Sequence, residues 1–314
     1  MMDKKQLSEK IKAEAISLGF SACGIAQAGP VEKEYRDYYC RWLSQSRHAT
    51  MGYLENYQDK RFDPRLLHPG TKSIVCLALN YAPRVSIPER EPQLAAYALG
   101  KDYHDVMKAK LRQLVSNMNF KEDDVRVFCD TAPVLERYWA YRAGLGWIGR
   151  NHQLIIPHGG SMYFLGELFL PMELEYDQPL APRCGKCHAC IDACPTHALQ
   201  CAGDGHDANL AEFDSRKCLS YLTIENRDDI PGEFASCMDN TIYGCDKCQK
   251  ACPHNRFSVP NTTPELQPSV ELLAMRRDDW LDLTVERYRS LFKGSAVKRA
   301  KYDGLMRNII AALK

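Results

Sequence analysis

The stretch CGKCHACIDACP, from Cys184 to Pro195, decides how this chain is read. Its spacing is C-x2-C-x2-C-x3-C-P, the run that binds 4Fe–4S clusters in bacterial ferredoxins, where the fourth cysteine ligates the other of two clusters. A second block, CDKCQKACP, carries Cys245, Cys248 and Cys252 ahead of Pro253. It keeps the back half of the same pattern, with Ile242 standing where its first cysteine would fall. Two cubane clusters need eight thiolates. Cys218, in RKCLSYLTIE, is the candidate for the one the blocks lack, with Cys201 and Cys237 as spares. Crossing the fourth cysteines places one cluster on Cys184, Cys187, Cys190 and Cys252, and the other on Cys194, Cys218, Cys245 and Cys248. Structural zinc usually takes separated C-x2–4-C pairs and accounts poorly for three cysteines at two-residue gaps followed by a fourth before proline. His188, His197, His206 and His254 lie near the blocks, but eight thiolates leave them no ligand position.

Composition bounds the rest. A length of 314 residues suggests two domains on a prior of roughly 100–200 residues each. Hydrophobic content of 45% supports a sizeable core, and a net charge of +1 advertises neither nucleic acid nor membrane. No apolar run approaches the ~20 residues of a spanning helix, so no membrane is expected. The start, MMDKKQLSEKIKAEA, reads as a polar amphipathic helix and not as a signal peptide. Fourteen cysteines without a secretion signal imply reduced thiols and metal work in the cytoplasm. Cys23, Cys40, Cys76 and Cys129 lie outside the blocks and read as ordinary buried thiols.

Periodicity supplies the elements. Leu7, Ile11, Ala15 and Leu18 share one face of a helix over 3–19. FSACGIA (20–26) reads as a short strand. SIVCLALNY (73–81) is a near-continuous apolar run, as in a strand buried on both faces. Met107, Leu111, Leu114 and Met118 form a core stripe on a second helix. VRVFC (125–129) reads as a strand running into Asp130. Pro133 is expected to open the next helix, since proline suits the first helical position. Strands are expected at 152–156 and 162–170. The division is therefore an α/β domain over 1–175, a cysteine-rich insertion over 176–260 and a mostly helical tail over 261–314.

Beyond the cysteines, DTAPVLERYWAYRAGLGWIGRN (130–151), GSMYFLGELFL (160–170), RKCLSYLTIE (216–225), YGCDKCQKACPHN (243–255) and FKGSAVKRAKYDGLMRNIIAAL (292–313) resemble the epoxyqueuosine reductases. These are cobalamin-dependent iron–sulfur enzymes that complete queuosine in tRNA. The resemblance spans nearly the whole chain. It implies a monomeric, cytoplasmic oxidoreductase and supports Cys218 as the eighth ligand. The implied fold is an α/β (α+β) cobalamin-binding domain similar to that of reductive dehalogenases, then a ferredoxin-like domain with two 4Fe–4S clusters, then a helical tail. Many members continue after GLMRNIIAAL into helical repeats that help hold tRNA. This sequence stops at Lys314, so a more economical grip is expected. No D-x-H-x-x-G motif is present, so no histidine is nominated as a cobalt ligand.

The resemblance also implies roles. Asp130 matches the proton-donor position. The competing reading is a helix cap at Pro133, and the two conflict: a helix N-terminus lowers a carboxyl pKa, whereas an acid needs a raised one, which burial against corrin and substrate would supply. Ser220, Tyr221, Thr223, Gly244 and Asp246 are expected as cobalamin neighbours. Arg61 is a weaker candidate, because a solvated turn arginine is the ordinary reading of its place before DPR. Lys298, Arg299, Lys301 and Arg307 are expected to contact tRNA phosphates from the last helix. Electrons are expected from an unidentified low-potential donor. The rival functions are a two-cluster electron-transfer protein and a reductive dehalogenase-like enzyme.

Overall fold

The structure is a computed structural model and describes residues 3–201 and 211–313; His206 lies outside them. The first helix, α1 (Lys4–Ser17), is fixed by a capping box between Asp3 and Gln6. Strand β1 (Ala22–Gln27) follows, then helix α2 (Lys33–Ser44). Strand β2 (Ser73–Asn80) is buried at every residue. Helix α3 (Tyr103–Asn117), strand β3 (Arg126–Phe128), helix α4 (Glu136–Arg142) and strand β4 (Tyr163–Leu170) complete the N-terminal layers.

The sheet runs β1-β2-β4-β3 and is antiparallel throughout. The side-chain period of two then explains the apolar run in β2. Val75, Leu77 and Leu79 meet Ile11, Met107, Leu111 and Leu114 from α1 and α3. Ile74, Cys76 and Ala78 meet Tyr138, Trp139 and Ala140 from α4. The fold is thus mixed α/β with both sheet faces covered. The layers close so tightly that a Cβ on Gly24 of β1 would stand 2.0 Å from the Ala143 carbonyl oxygen.

One boundary differs from expectation. Pro133 does not open a helix; α4 begins at Glu136, and Leu135 at its N-cap makes no side-chain bond. Tight turns intervene, with the Thr131 N–H donated to the Cys129 carbonyl and the Val134 N–H to the Ala132 carbonyl. Asp130 therefore caps nothing. The four cysteines outside the blocks also split: Cys76 and Cys129 are buried, Cys23 is half-buried and Cys40 is exposed.

In the cysteine-rich segment, short helices at Ala189–Asp192 and Lys247–Lys250 sit inside the two blocks. Helix α5 (Leu219–Ile224) follows Cys218, and strand β5 (Thr241–Tyr243) pairs in parallel with Gln93–Leu94. The chain ends in α6 (Lys301–Leu313). One core joins Leu94, Leu99, Ile242, Tyr243, Trp280, Phe292, Leu305 and Ile309. That core crosses the boundaries read from sequence at 175 and 260, so the tail is a wall of the molecule. It also accounts for the missing cysteine: Ile242 is fully buried in it. Asn308 staples the parts together, donating its amide to the carbonyls of Thr223 (2.7 Å) and Ile242 (2.9 Å).

Candidate active site and cysteine centres

Asp130 follows β3 in the left-handed region, at φ 56°. Aspartate tolerates that conformation better than most residues. Its backbone N–H is donated to Glu136 Oε1. Tyr103 donates its hydroxyl to Asp130 Oδ2, and His104 Nε2 lies 3.4 Å from the same oxygen. The other ring nitrogen of His104, Nδ1, is 2.7 Å from Asp102 Oδ1. Tyr103 is stacked between His104 (centroids 4.1 Å apart) and Phe164 (4.3 Å). The Asp130 side chain remains 58% exposed, so the carboxyl presents itself to open space.

The protein groups alone do not raise the acid. The His104 bond foremost, with the Tyr103 bond, holds the Asp130 carboxyl below the ordinary range, against the opposing effect of desolvation. His104 is pushed up to about 9, by its bond to Asp102 and then by Asp130. Behind Asp130, burial pushes Glu136 up to about 8, assisted by the Asp130 charge. Glu167, fully buried on β4, is raised well above the usual range by burial and by Glu136. None of Tyr103, His104, Glu136 or Glu167 was singled out in the sequence. A glutamate inside the apolar run FLGELFL was the available signal, since charged residues are almost never fully buried without a partner.

Tyr53, 51% exposed, lies within electrostatic reach of Glu225, Arg299, Asp130 and Arg61. These groups outline one rim. Arg61 is not a solvated turn residue: it is buried, its guanidinium sits 5.6 Å from the Tyr39 ring centroid, and its Nε has no hydrogen-bond partner.

The other expected cofactor neighbours divide. Ser220 is half-buried at the start of α5. Thr223 is fully buried; its hydroxyl donates to the Leu219 carbonyl at 2.7 Å and accepts the Gly244 N–H at 2.9 Å. Tyr221 is buried with its hydroxyl 2.8 Å from Thr50 Oγ1. Asp246 is buried and accepts the Ala96 N–H at 2.7 Å. Gly244 has φ 68°, and a Cβ there would stand 2.5 Å from that of Ala95. Tyr221, Thr223, Gly244 and Asp246 are thus engaged with protein.

The basic cluster also divides. Lys298 and Arg299 lie on the short 3-10 helix Ala296–Ala300 and not on the last helix, while Lys301 opens α6. Arg299 forms a two-pronged pair with Glu225, at 2.8 Å twice. Arg307 is corrected to a structural role. Its guanidinium donates to the carbonyls of Leu222 (2.9 Å), Asn226 (2.9 Å) and Asp228.

The cysteines fall into two neighbourhoods. Cys190 interacts electrostatically with Cys252, Cys184 and Cys187, and Cys252 with Cys184 and Cys187. Cys248 interacts with Cys245, Cys218 and Cys194, and more weakly with Cys190 of the other group. Cys218 packs with Cys194 and Cys248 around Ala198 and Leu199. Cys201 is exposed, and Cys237 donates to the Glu233 carbonyl. Among the described residues, no three His, Cys, Asp or Glu side chains converge closely enough to hold a single metal ion. A packed path leads from the second block to Asp130. The Gln249 amide donates to the Tyr81 hydroxyl at 3.0 Å, Tyr81 contacts Phe164 (centroids 4.6 Å apart), and Phe164 stacks on Tyr103.

Residues 61–131 match the family described as epoxyqueuosine reductase QueG, DUF1730, and residues 183–255 match a 4Fe-4S double cluster binding domain. An epoxyqueuosine reductase of Cellulophaga algicola is 43% identical over 98% of this chain and 99% of its own. That of Escherichia coli K12 is 35% identical over 99% of this chain and 82% of its own. A crystal structure of epoxyqueuosine reductase with an epoxyqueuosine-modified tRNA-Tyr stem loop superposes with a TM-score of 0.86. It is 31% identical, covering 98% of this chain and 81% of that one. With a relative 43% identical over 99% of its own length, and the double-cluster segment where the cysteines gather, the chain belongs to the epoxyqueuosine reductase family.

Proposed function

We propose that this chain reduces epoxyqueuosine to queuosine in tRNA, using cobalamin and two 4Fe–4S clusters. The observation that carries the reading is the path just described: an open-facing acid site joined by packed aromatic rings to Gln249 of the second cysteine block, in a chain of this family. A plain two-cluster carrier would have no use for the Asp130 constellation.

The residues fit the groups the reaction needs. Cys184, Cys187, Cys190 and Cys252 would ligate one cluster, and Cys194, Cys218, Cys245 and Cys248 the other. Arg61, whose buried Nε–H lacks an acceptor, and Ser220 would hold the acceptor-rich edge of cobalamin. When bound, cobalamin supplies a reducible, nucleophilic cobalt, and the clusters supply its electrons. The chain supplies the rest. Tyr103 and His104 orient the Asp130 carboxyl, Glu136 pins its backbone, and Asp130 passes a proton to the departing epoxide oxygen. Residues 1–175 would carry this chemistry, 176–260 the clusters and 261–314 the RNA-facing wall. A monomer in the cytoplasm, fed by a separate low-potential donor, suits thiols that must remain reduced. No described helix is long and apolar enough to cross a membrane.

The test is direct. Protein reconstituted with iron, sulfide and cobalamin, under a strong chemical reductant, should convert epoxyqueuosine in an anticodon stem-loop to queuosine with loss of one oxygen by mass. Retention of both cofactors without conversion would overturn the reading.

RNA contact yields a second expectation. Lys298 and Lys301 are exposed beside the Tyr53 rim's Arg299. Lys298→Gln and Lys301→Gln should each flatten the log–log salt dependence of stem-loop binding by about 0.7–0.9 per lost phosphate contact. Arg307→Ala should leave that slope alone and destabilise the fold by about 1–3 kcal/mol, the cost of carbonyls left unsatisfied. Unchanged slopes in both lysine variants would assign this face to solvent.

A further inference from the structure

We propose that the proton spent by Asp130 is stored on His104, which Asp102 holds in place and which reloads Asp130 during each turnover. This rests on the proposed reduction and assigns a residue to it. His104 Nε2 faces Asp130 Oδ2 at 3.4 Å while Nδ1 faces Asp102 Oδ1 at 2.7 Å, so one imidazole bridges two carboxylates. Two carboxylate partners favour the doubly protonated ring, in which both nitrogens donate. Asp130 Oδ2 itself accepts from the Tyr103 hydroxyl and faces His104 Nε2 at 3.4 Å, the setting of a carboxylate and not of a carboxylic acid. The resting site is therefore Asp102 anion, His104 cation and Asp130 anion, and the movable proton lies on the ring.

The step balances. Both carbon–oxygen bonds of the epoxide break, two electrons are supplied through the clusters, and the oxygen leaves as water with two protons. Each proton passes from His104 Nε2 to Asp130 Oδ2 and from there to the leaving oxygen, so Asp130 returns to its anion. Neutral His104 recovers its proton from solvent through its exposed edge, 26% of the side chain. His104 acts through Asp130 and touches no reacting atom, so it is a positioning residue that also carries the next proton. The charged or titratable groups that act on it are Asp102 at the start of α3, the stacked Tyr103, Asp130 after β3 and Glu136 from α4, while Lys108 acts on Asp102 and Arg137 on Asp130 and Glu136.

The sign follows from the cation. His104 is raised to about 9, so the store is full below that pH and empties above it. Single-turnover conversion of the stem-loop by wild-type holoenzyme should hold steady to about pH 9 and then fall tenfold per unit. His104→Gln should lose roughly 100-fold or more at pH 8. Its rate should fall with rising pH from well below 8, because Asp130 must then be loaded directly by solvent. His104→Gly should recover activity with added imidazole. Independently of turnover, the His104 ring followed by NMR in the holoprotein should titrate near 9 in wild type and clearly lower in Asp102→Asn, where only Asp130 is left to raise it.

Wild-type rates and an unchanged alkaline limb in His104→Gln would overturn the proposal. So would a slowed variant that keeps the limb and ignores imidazole, since that describes a prop. A ring that titrates near 6.5 in wild type would also sink it. If wild type binds the stem-loop but never converts it, the function itself fails, and this role with it.

Discussion

Asp130→Asn is expected to fold, keep both clusters and cobalamin, bind the stem-loop, and turn over roughly 100- to 10,000-fold more slowly, the span of general acid catalysis. The backbone makes asparagine the right probe. Position 130 sits at φ 56°, where Asn and Asp are the side chains most readily accommodated. Asn also keeps an oxygen for the Tyr103 hydroxyl, and the backbone N–H bond to Glu136 is untouched. What is lost is the carboxylate that takes up and passes the proton, and with it the charge that pairs with His104. Asp130→Ala should be as slow and should also be less stable, by about 1–2 kcal/mol, from a non-polar side chain in the left-handed region. That penalty has a different origin from the one the sequence suggested, because no helix begins at Pro133 for Asp130 to cap. Near-native turnover by Asp130→Asn, with cofactor content verified, would send the search to water or to another acid.

The contrast shows what the sequence made legible. The core strands were legible because period-two and period-3.6 burial leave marks in the order of residues, and β2 and β4 fall within a residue or two of their expected ends. The cysteines were legible because a ferredoxin-type run is a local spacing. Asp130 itself came through resemblance. What surrounds Asp130 was hidden, because Tyr103 and His104 come from a helix start some 27 residues upstream and Glu167 from a strand further on. Sequence order does not say which residues a sheet will bring together. Arg61 and Arg307 were misread for a related reason. An arginine in a polar stretch looks solvated, and only the fold shows a guanidinium buried against Tyr39 or clamped on three carbonyls.

Cys252→Ala should remove the cluster of the first block, not that of the second, and leave about four of eight iron atoms. Cys252 follows Cys245 and Cys248 in sequence, yet its sulfur neighbours are Cys184, Cys187 and Cys190. Cys194 likewise belongs to the first block and neighbours Cys218 and Cys248. The short helices at Ala189–Asp192 and Lys247–Lys250 produce the exchange. Each turns the chain just ahead of the last cysteine of its block, and that last cysteine lies with the other group. A cluster is lost as a unit when one thiolate is missing, so paired substitutions separate the two connectivities. Cys184→Ala with Cys252→Ala should still leave about four irons if the ligands are crossed, and almost none if each block ligates its own cluster. Cys218→Ala with Cys194→Ala should likewise leave about four, while Cys201→Ala should leave all eight. Turnover should vanish in every variant that loses a cluster, under chemical reductant as well, if both clusters lie on the electron path. Iron content measured with acid-labile sulfide settles the assignment. Depletion in Cys201→Ala with a full complement in Cys218→Ala would move the eighth ligand to Cys201. Near-complete loss in the Cys184/Cys252 pair would show that the blocks are not crossed.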